Sequence, residues 1–227
     1  MHLDFDVLTR SFPYLWKGFM YTVELTLIAS VGGLFFGTFL ALARLSPVKA
    51  LSMVAAGYVN LMRSIPLVLV LFWFFFLMPQ VLQAITGADR PPQIGADRTA
   101  IITFIMFEAA YFCEIMRAGI QSIAKGQAYS AFALGLTYGQ AMRLVILPQA
   151  FRNMIPVLLT QTIILFQDTS LVYVISATDF VGAASKIAQR DGRLVEMYLF
   201  VAAVYFAICY TTSYLVKRLQ KKIAVIR

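Results

Sequence analysis

The sequence predicts an all-α integral membrane protein with five transmembrane helices, and three observations predict it. Of its 227 residues, 60% are hydrophobic and only 13% are charged, whereas soluble domains average roughly half and a quarter. Five apolar stretches are long enough to cross a hydrocarbon core that takes about 20 helical residues. The Lys and Arg residues are, moreover, shared unequally among the segments that join those stretches. Lipid leaves no water to satisfy backbone groups, so each stretch is read as a helix.

Residues 1–18 form a hydrophilic leading segment. The first span, 19–43, holds one charge, Glu24, and the glycines Gly32, Gly33 and Gly37. Gly33 and Gly37 stand at small-xxx-small spacing for close helix contact, either within the subunit or between subunits. The second span, 54–84, is densest in apolar residues over 65–78 and carries Arg63 as its sole charge. Its run Trp73-Phe74-Phe75-Phe76 reads as a lipid-facing and packing surface. The third, 99–116, contains Glu108 and Glu114; the fourth, 153–175, is interrupted by Pro156 and holds Asp168. The fifth, 197–216, is uncharged, and 217–227 is a basic tail. Residues 19–216 thus make one transmembrane domain, with a long loop at 117–152.

Orientation follows from the basic residues, because Lys and Arg in short loops stay on the cytoplasmic side. Residues 44–63 hold three basic residues, 117–152 hold four and 217–227 hold five, all without an Asp or Glu. The remaining hydrophilic pieces, 1–18, 80–98 and 178–196, together balance seven basic residues against seven acidic ones. This predicts an outer N-terminus, an inner C-terminus and five crossings. It also accounts for the net charge of +8, so no nucleic-acid partner is invoked.

Other chemistry is excluded by residue type. Asp4 and Asp6 stand where a cleavable signal peptide would have a basic region, so the first span is expected to be retained. Cys113 and Cys209 fall inside spans and are expected to pack as small apolar residues without a disulfide. The single histidine is His2, so no His-based metal or acid–base site can be assembled. No Gly-Lys dipeptide occurs, so no Walker A loop is present and any nucleotide would be hydrolysed by another chain. No catalytic residue, metal ligand or bound cofactor is expected.

The loop 117–152 is the most informative stretch. Gly126 punctuates the chain after the third span, 127–134 is a run of small residues with good helix propensity, and Gly135 is placed to cap it. Pro148 is expected to break the chain before the fourth span. A short helix presenting small residues and aromatics fits a groove on a partner protein or the lipid surface; physics alone leaves both open.

The residues of this loop resemble the signature of binding-protein-dependent ABC importer permeases: Glu-Ala-Ala, three residues, Gly, nine residues, Ile, one residue, Leu-Pro. Gly135, Leu147 and Pro148 stand at that spacing, with Val145 for Ile and Tyr129-Ser130-Ala131 for Glu-Ala-Ala. The triplet Glu108-Ala109-Ala110 spells the motif literally but lies in the third span without the downstream Gly and Leu-Pro. Further segments are similar to the polar amino acid branch: Arg63-Ser64-Ile65-Pro66-Leu67, Ala109-Ala110-Tyr111 with Glu114, Arg117-Ala118-Gly119-Ile120, Lys125-Gly126-Gln127 and Leu147-Pro148-Gln149-Ala150. Residues 161–174 and 189–197, with Ser64-Ile65 and Gln167, look closest to a permease of glutamate/aspartate importers.

The resemblance implies the type I importer permease fold in a bacterial inner membrane. It also implies partners: an ATPase subunit dimer that uses ATP, a second permease subunit that is homologous or identical, and a periplasmic substrate-binding protein. Gly126, Gln127, Tyr129, Ser130, Ala131, Leu134, Gly135, Leu147 and Pro148 would form the ATPase-docking region, gripping by apolar packing around Ala131, Leu134 and Gly135 because Tyr129 replaces the acidic residue. Intramembrane polar residues are costly and face the interior or a path, so Arg63, Glu108, Gln161, Gln167, Asp168, Thr169 and Ser170 are the substrate-path candidates. Asp168 either lines the path or pairs with a neighbouring helix; Arg63 either attracts a carboxylate or snorkels to the interface; Glu114 and Arg117, spaced by three, are placed to pair. A stand-alone secondary amino acid transporter would need an ion-coupling site and repeated halves, and an embedded enzyme an acid–base cluster; the sequence displays neither. An importer for glutamine or arginine is the nearer alternative.

Overall fold

The computed structural model describes residues 6–223. Its helices are α1 (Asp6–Arg44), α2 (Lys49–Ser64), α3 (Leu67–Phe72), α4 (Met78–Thr86), α5 (Ala96–Gln121), α6 (Lys125–Ala133), α7 (Tyr138–Ala141), α8 (Leu147–Asp168), α9 (Phe180–Asp191) and α10 (Leu194–Ile223). Five continuous helical stretches are long and apolar enough to cross a membrane: Asp6–Arg44, Leu67–Thr86, Ala96–Gln121, Tyr138–Ile175 and Leu194–Ile223. No strand occurs among the described residues.

The leading segment is not a loop. From Asp6 onward it is the first part of α1, whose 39 residues span about 58 Å at 1.5 Å per residue, well beyond a hydrocarbon core. Val7, Ser11 and Leu15 in this extension are buried, and Val7 and Leu15 join the apolar cluster of Phe180, Ala183, Ala184 and Ile187 on α9 and Met197 and Val201 on α10.

The centre of the subunit is the α1–α5 seam. A Cβ on Gly33 would lie 2.8 Å from the Glu108 Cβ, and one on Gly37 would lie 2.9 Å from the Ala109 carbonyl oxygen and from the Phe112 Cβ. The small-xxx-small pair therefore serves contact inside the subunit, which resolves the two readings left open by sequence. The contacts advance in the same direction on both helices, so α1 and α5 run parallel, as odd-numbered spans must.

The second span starts later than its hydropathy suggests. Ile65 is extended (φ −114°, ψ 136°) ahead of Pro66, because a residue before proline is pushed out of the helical region. This separates α2 as a helix of its own. Its Ala55 and Val59 are buried, and Val59 packs with Ala41, Ala110 and Cys113.

Pro148 does not break the fourth span. Residues Met142–Ile146 form a π turn, with the Leu147 N–H donating to the Met142 carbonyl, and α8 continues directly from it. The same device sits in the second span, where the π turn Trp73–Leu77 ends with Met78 N–H on the Trp73 carbonyl and Pro79 follows. A proline ring clashes with the carbonyl four residues earlier; for Pro79 and Pro148 those carbonyls belong to Phe75 and Leu144, inside the widened turns. A π bulge displaces that carbonyl and lets the helix run on.

The segment 178–196, read from sequence as a mixed hydrophilic connection, contains α9. Asp179 caps it, accepting from the Val181 N–H at 3.0 Å and the Gly182 N–H at 2.9 Å. Phe180, Ala183, Ala184, Ile187 and Ala188 are buried at the i, i+3, i+4, i+7, i+8 spacing of one helix face. Cys113 and Cys209 are buried free thiols.

Candidate functional site: an intramembrane cavity joined to an exposed helical loop

The loop between the third and fourth spans is a helix between two stops. After α6, the Gly135 N–H donates to the Phe132 carbonyl at 2.9 Å and the Leu136 N–H to the Ala131 carbonyl at 3.1 Å. These two bonds are the Schellman ending, which needs a left-handed residue at its turn. Gly135 supplies it at φ 81°, with nothing near a hypothetical Cβ, so backbone conformation and not crowding selects glycine there. Thr137 and Gln140 then close a capping box that starts α7.

The outer surface of the loop is apolar and uncovered: Leu134 is 82% exposed, Tyr138 69%, Tyr129 66% and Leu144 62%. Gly126, Gln127, Ser130, Gly135 and Pro148 are also exposed, and Leu147 is half-buried. Ala131 differs. It is 2% exposed, on the inner face of α6, so the packing surface expected around it is instead that of Leu134 and Tyr129.

The loop is tied to α5 and α8 by side chains. The Asn153 amide on α8 donates to the Ser122 hydroxyl at 2.8 Å, just past the end of α5, and the Gln149 amide donates to Gln127 of α6 at 3.3 Å. Glu114, towards the C-terminal end of α5, accepts from Arg117 Nε at 3.1 Å and from Arg44 at the end of α1. The i,i+3 pairing was legible in sequence. Arg44 was not, since it lies 70 positions away.

Between α5 and α8, and beginning at this loop, lies a cavity of about 510 Å³ whose polar lining includes Arg63, Tyr111, Glu114, Asn153 and Gln161. Arg63, the last arginine of α2, holds its guanidinium carbon 5.4 Å from the centre of the Tyr111 ring, a cation–π distance. It lines the cavity. Glu108, 1% exposed, stands behind Gln161, whose amide nitrogen lies 3.1 and 3.3 Å from the two carboxylate oxygens. Gln161 thus both lines the cavity and meets Glu108 through its amide nitrogen.

The remaining path candidates are not brought into this lining. Gln167, Asp168, Thr169 and Ser170 lie where α8 passes into the 3-10 turn Thr169–Ile175, beyond the cavity. Thr169 is buried and donates to the Phe166 carbonyl at 2.7 Å. Asp168 is half-buried and forms no ion pair among the described residues of this subunit. Asn153 and Ser122 were missed as site residues, for neither intramembrane charge nor motif marks them, and Tyr111 stood in a family-like segment without being read as part of the site. Among the described residues no group of three or more His, Cys, Asp or Glu is placed to hold a metal ion.

A five-span helical subunit with a cavity between its third and fourth spans, and an exposed helical loop joining those two spans, has the architecture of a membrane permease. The chain belongs to the binding-protein-dependent transport system inner membrane component family, whose model matches residues 33–225. It is 50% identical over 221 residues to the glutamate/aspartate import permease protein GltK of Escherichia coli O6:H1, covering 97% of this chain and 98% of that one. It is 30% identical over 223 residues to the arginine transport system permease protein ArtQ of Bacillus subtilis (strain 168), covering 98% of each. A solved amino acid ABC transporter with histidines superposes with a TM-score of 0.88 at 31% identity, over 98% of this chain and 100% of that chain. The subunit is therefore a multi-pass inner-membrane transport component of an ABC importer and not an enzyme.

Proposed function

We propose that this chain is the permease subunit of an ATP-driven importer that carries glutamate and aspartate inward across the bacterial inner membrane. The single observation that carries the mechanism is that the two helices closing the loop, α5 and α8, are also the two walls of the cavity. A push on α6 reaches α8 through the Gln127–Gln149 contact and α5 through the short connection 122–124, while the Ser122–Asn153 bond ties the two walls together. Rigid-body motion of packed helices is the ordinary means of opening and closing such a space.

In this reading the loop is cytoplasmic and so is the C-terminus, while the N-terminus is periplasmic. A separate ATPase dimer docks on Tyr129, Leu134 and the residues beside them and consumes the ATP; this chain binds no cofactor. A periplasmic binding protein delivers the amino acid, and a second permease subunit completes the path. Arg63 favours an anionic substrate, because it faces the cavity and makes no ion pair among the described residues. Gln161 offers an acceptor to an ammonium. The 50% identity to a glutamate/aspartate import permease supports the same choice.

Uptake of labelled glutamate, aspartate, glutamine and arginine by a strain deleted for this chain and complemented with it tests the proposal. Saturable uptake of the two acidic amino acids, weakened by Arg63→Gln, is expected. Uptake of glutamine or arginine without the acidic pair would overturn the substrate assignment.

A further inference from the structure

The fifth span ends in a ridge that no other part of the subunit covers. α10 runs for 30 residues, about 45 Å at 1.5 Å per residue, against a hydrocarbon core of about 30 Å. Its final turns therefore emerge among lipid headgroups. They do so on the side that carries the loop 117–152, because the fourth span starts from that loop and the fifth returns to the same side. Cys209 is the last buried residue of α10. Phe206, Tyr210 and Tyr214 are exposed, and so are Lys217, Arg218, Lys221 and Lys222. At 100° per residue these side chains share one side of the helix, within an arc of about 160°.

The ridge is ordered along its length. The rings of Phe206 and Tyr210 stack with their centres 5.5 Å apart, and the Arg218 guanidinium carbon stands 4.8 Å from the centre of the Tyr214 ring, a cation–π distance. None of the four cations forms an ion pair among the described residues. Neither residues 197–227 nor the loop 117–152 contains an Asp or Glu, and Glu114, at the end of α5 on that side, is already held by Arg44 and Arg117. The positive charge of the ridge is thus left for a partner outside the chain.

We infer that this ridge is a binding site for an anionic phospholipid. From Phe206 to Lys222 it advances about 24 Å, close to the depth of one leaflet with its headgroups, about 20–22 Å. An acyl chain lies along Phe206 and Tyr210. Tyr214 sits at the level of the glycerol, where tyrosine gathers in membrane proteins, and the phosphate meets Arg218 and the lysines. A soluble protein partner would meet the cations but not aromatic rings at hydrocarbon depth, so the two together select a lipid. A zwitterionic headgroup would bring its own cation against the four of the ridge, whereas an anionic one brings none that opposes them.

The test is native mass spectrometry of the full chain released from nanodiscs of equal parts phosphatidylglycerol and phosphatidylcholine, which identifies the lipid that stays bound. The wild type is expected to retain phosphatidylglycerol over phosphatidylcholine by at least about fivefold, the weight of one cation near an anionic lipid surface. Substituting all four cations (Lys217→Gln, Arg218→Gln, Lys221→Gln, Lys222→Gln) should bring that ratio to about one. Lys221→Leu with Leu219→Lys keeps the net charge but moves one cation to the opposite side of the helix, and should lower the ratio. Arg143→Gln with Arg152→Gln removes two exposed cations elsewhere on the same side and should leave it unchanged. Equal retention of the two lipids by the wild type, or an unchanged ratio in the fourfold variant, overturns the site. An equal loss in the Arg143 and Arg152 pair also overturns it, since general surface charge would then account for the preference. Retention of the ATPase by the fourfold variant is measured beside these and is expected to be undiminished; loss of the ATPase with the lipid ratio unchanged would assign the ridge to a protein and overturn the lipid reading.

Discussion

Replacing Leu134 by Ala should weaken attachment of the ATPase while leaving the permease itself untouched. Leu134 is 82% exposed, so almost all of its apolar surface is free to be buried by a partner. Full burial of a leucine side chain is worth about 1.5–3 kcal/mol. Most of that is lost in alanine, which predicts docking weaker by on the order of 5- to 30-fold. Leu134→Asp should be worse, since a carboxylate would enter an apolar contact without a partner. In the isolated permease both substitutions are at an exposed position and should shift stability by less than about 0.5 kcal/mol. Ala131 is the internal control: at 2% exposure, Ala131→Asp buries a charge and should unfold the loop or the subunit. The assay is retention of the ATPase by tagged permease in nanodiscs, with a melting curve of each permease alone. Undiminished ATPase binding by Leu134→Asp would refute the argument, as would a melting loss for Leu134→Ala equal to that of Ala131→Asp.

Three other outcomes follow from the structure. Gly37→Ala should destabilise the subunit by about 1–3 kcal/mol, because the added methyl meets backbone of α5 that cannot turn aside. Gly57→Ala, with nothing near its Cβ, should be neutral or stabilising by up to about 1 kcal/mol; thermal unfolding in detergent checks both. Glu114→Gln should cost about 1–2 kcal/mol by leaving Arg44 and Arg117 facing each other, with the loss seen as a lower melting temperature that falls further at low salt. Burial lifts the Asp179 carboxyl to about 6, against the pull of the Gly182 and Val181 N–H groups and of Lys186. Its folded value lies above the unfolded one near 3.9, so the folded state gains stability from it at low pH and loses that gain as pH rises through about 6, on the order of 2–3 kcal/mol in all. Melting measured from pH 4.5 to 7.5 should show this slope in the wild type, and a flatter one in Asp179→Asn, which keeps the cap.

Much of the site was legible because local rules produced it. Gly135 was readable as a helix stop, and the structure shows the Schellman bonds that demand it. Glu114 and Arg117 were readable as a pair because three residues apart on a helix is a contact. Pro148 was misread because proline's usual effect was applied without the π turn that absorbs it. The helix α9 was passed over because its apolar face is mostly alanine, too small to raise the hydropathy of a segment with Lys186, Arg190 and Asp191. The i, i+3, i+4 spacing of Phe180, Ala183, Ala184 and Ile187 was nevertheless present to be counted.

By itself the sequence determined the solvent of this protein, the number of its crossings and the helix held in its loop. Those properties depend on apolar length and on neighbours within a few positions, and both are written along the chain. Only the tertiary structure decided which polar residues share a space. Arg63, Tyr111 and Gln161 come from three separate helices to line one cavity, while Asp168, seven positions after Gln161, lies outside it. Seven positions are two helical turns, about 10.5 Å along the axis, so Asp168 keeps the face of Gln161 but is carried past the end of the cavity, and how far that space reaches is set by close packing between helices such as the glycine seam of α1 on α5.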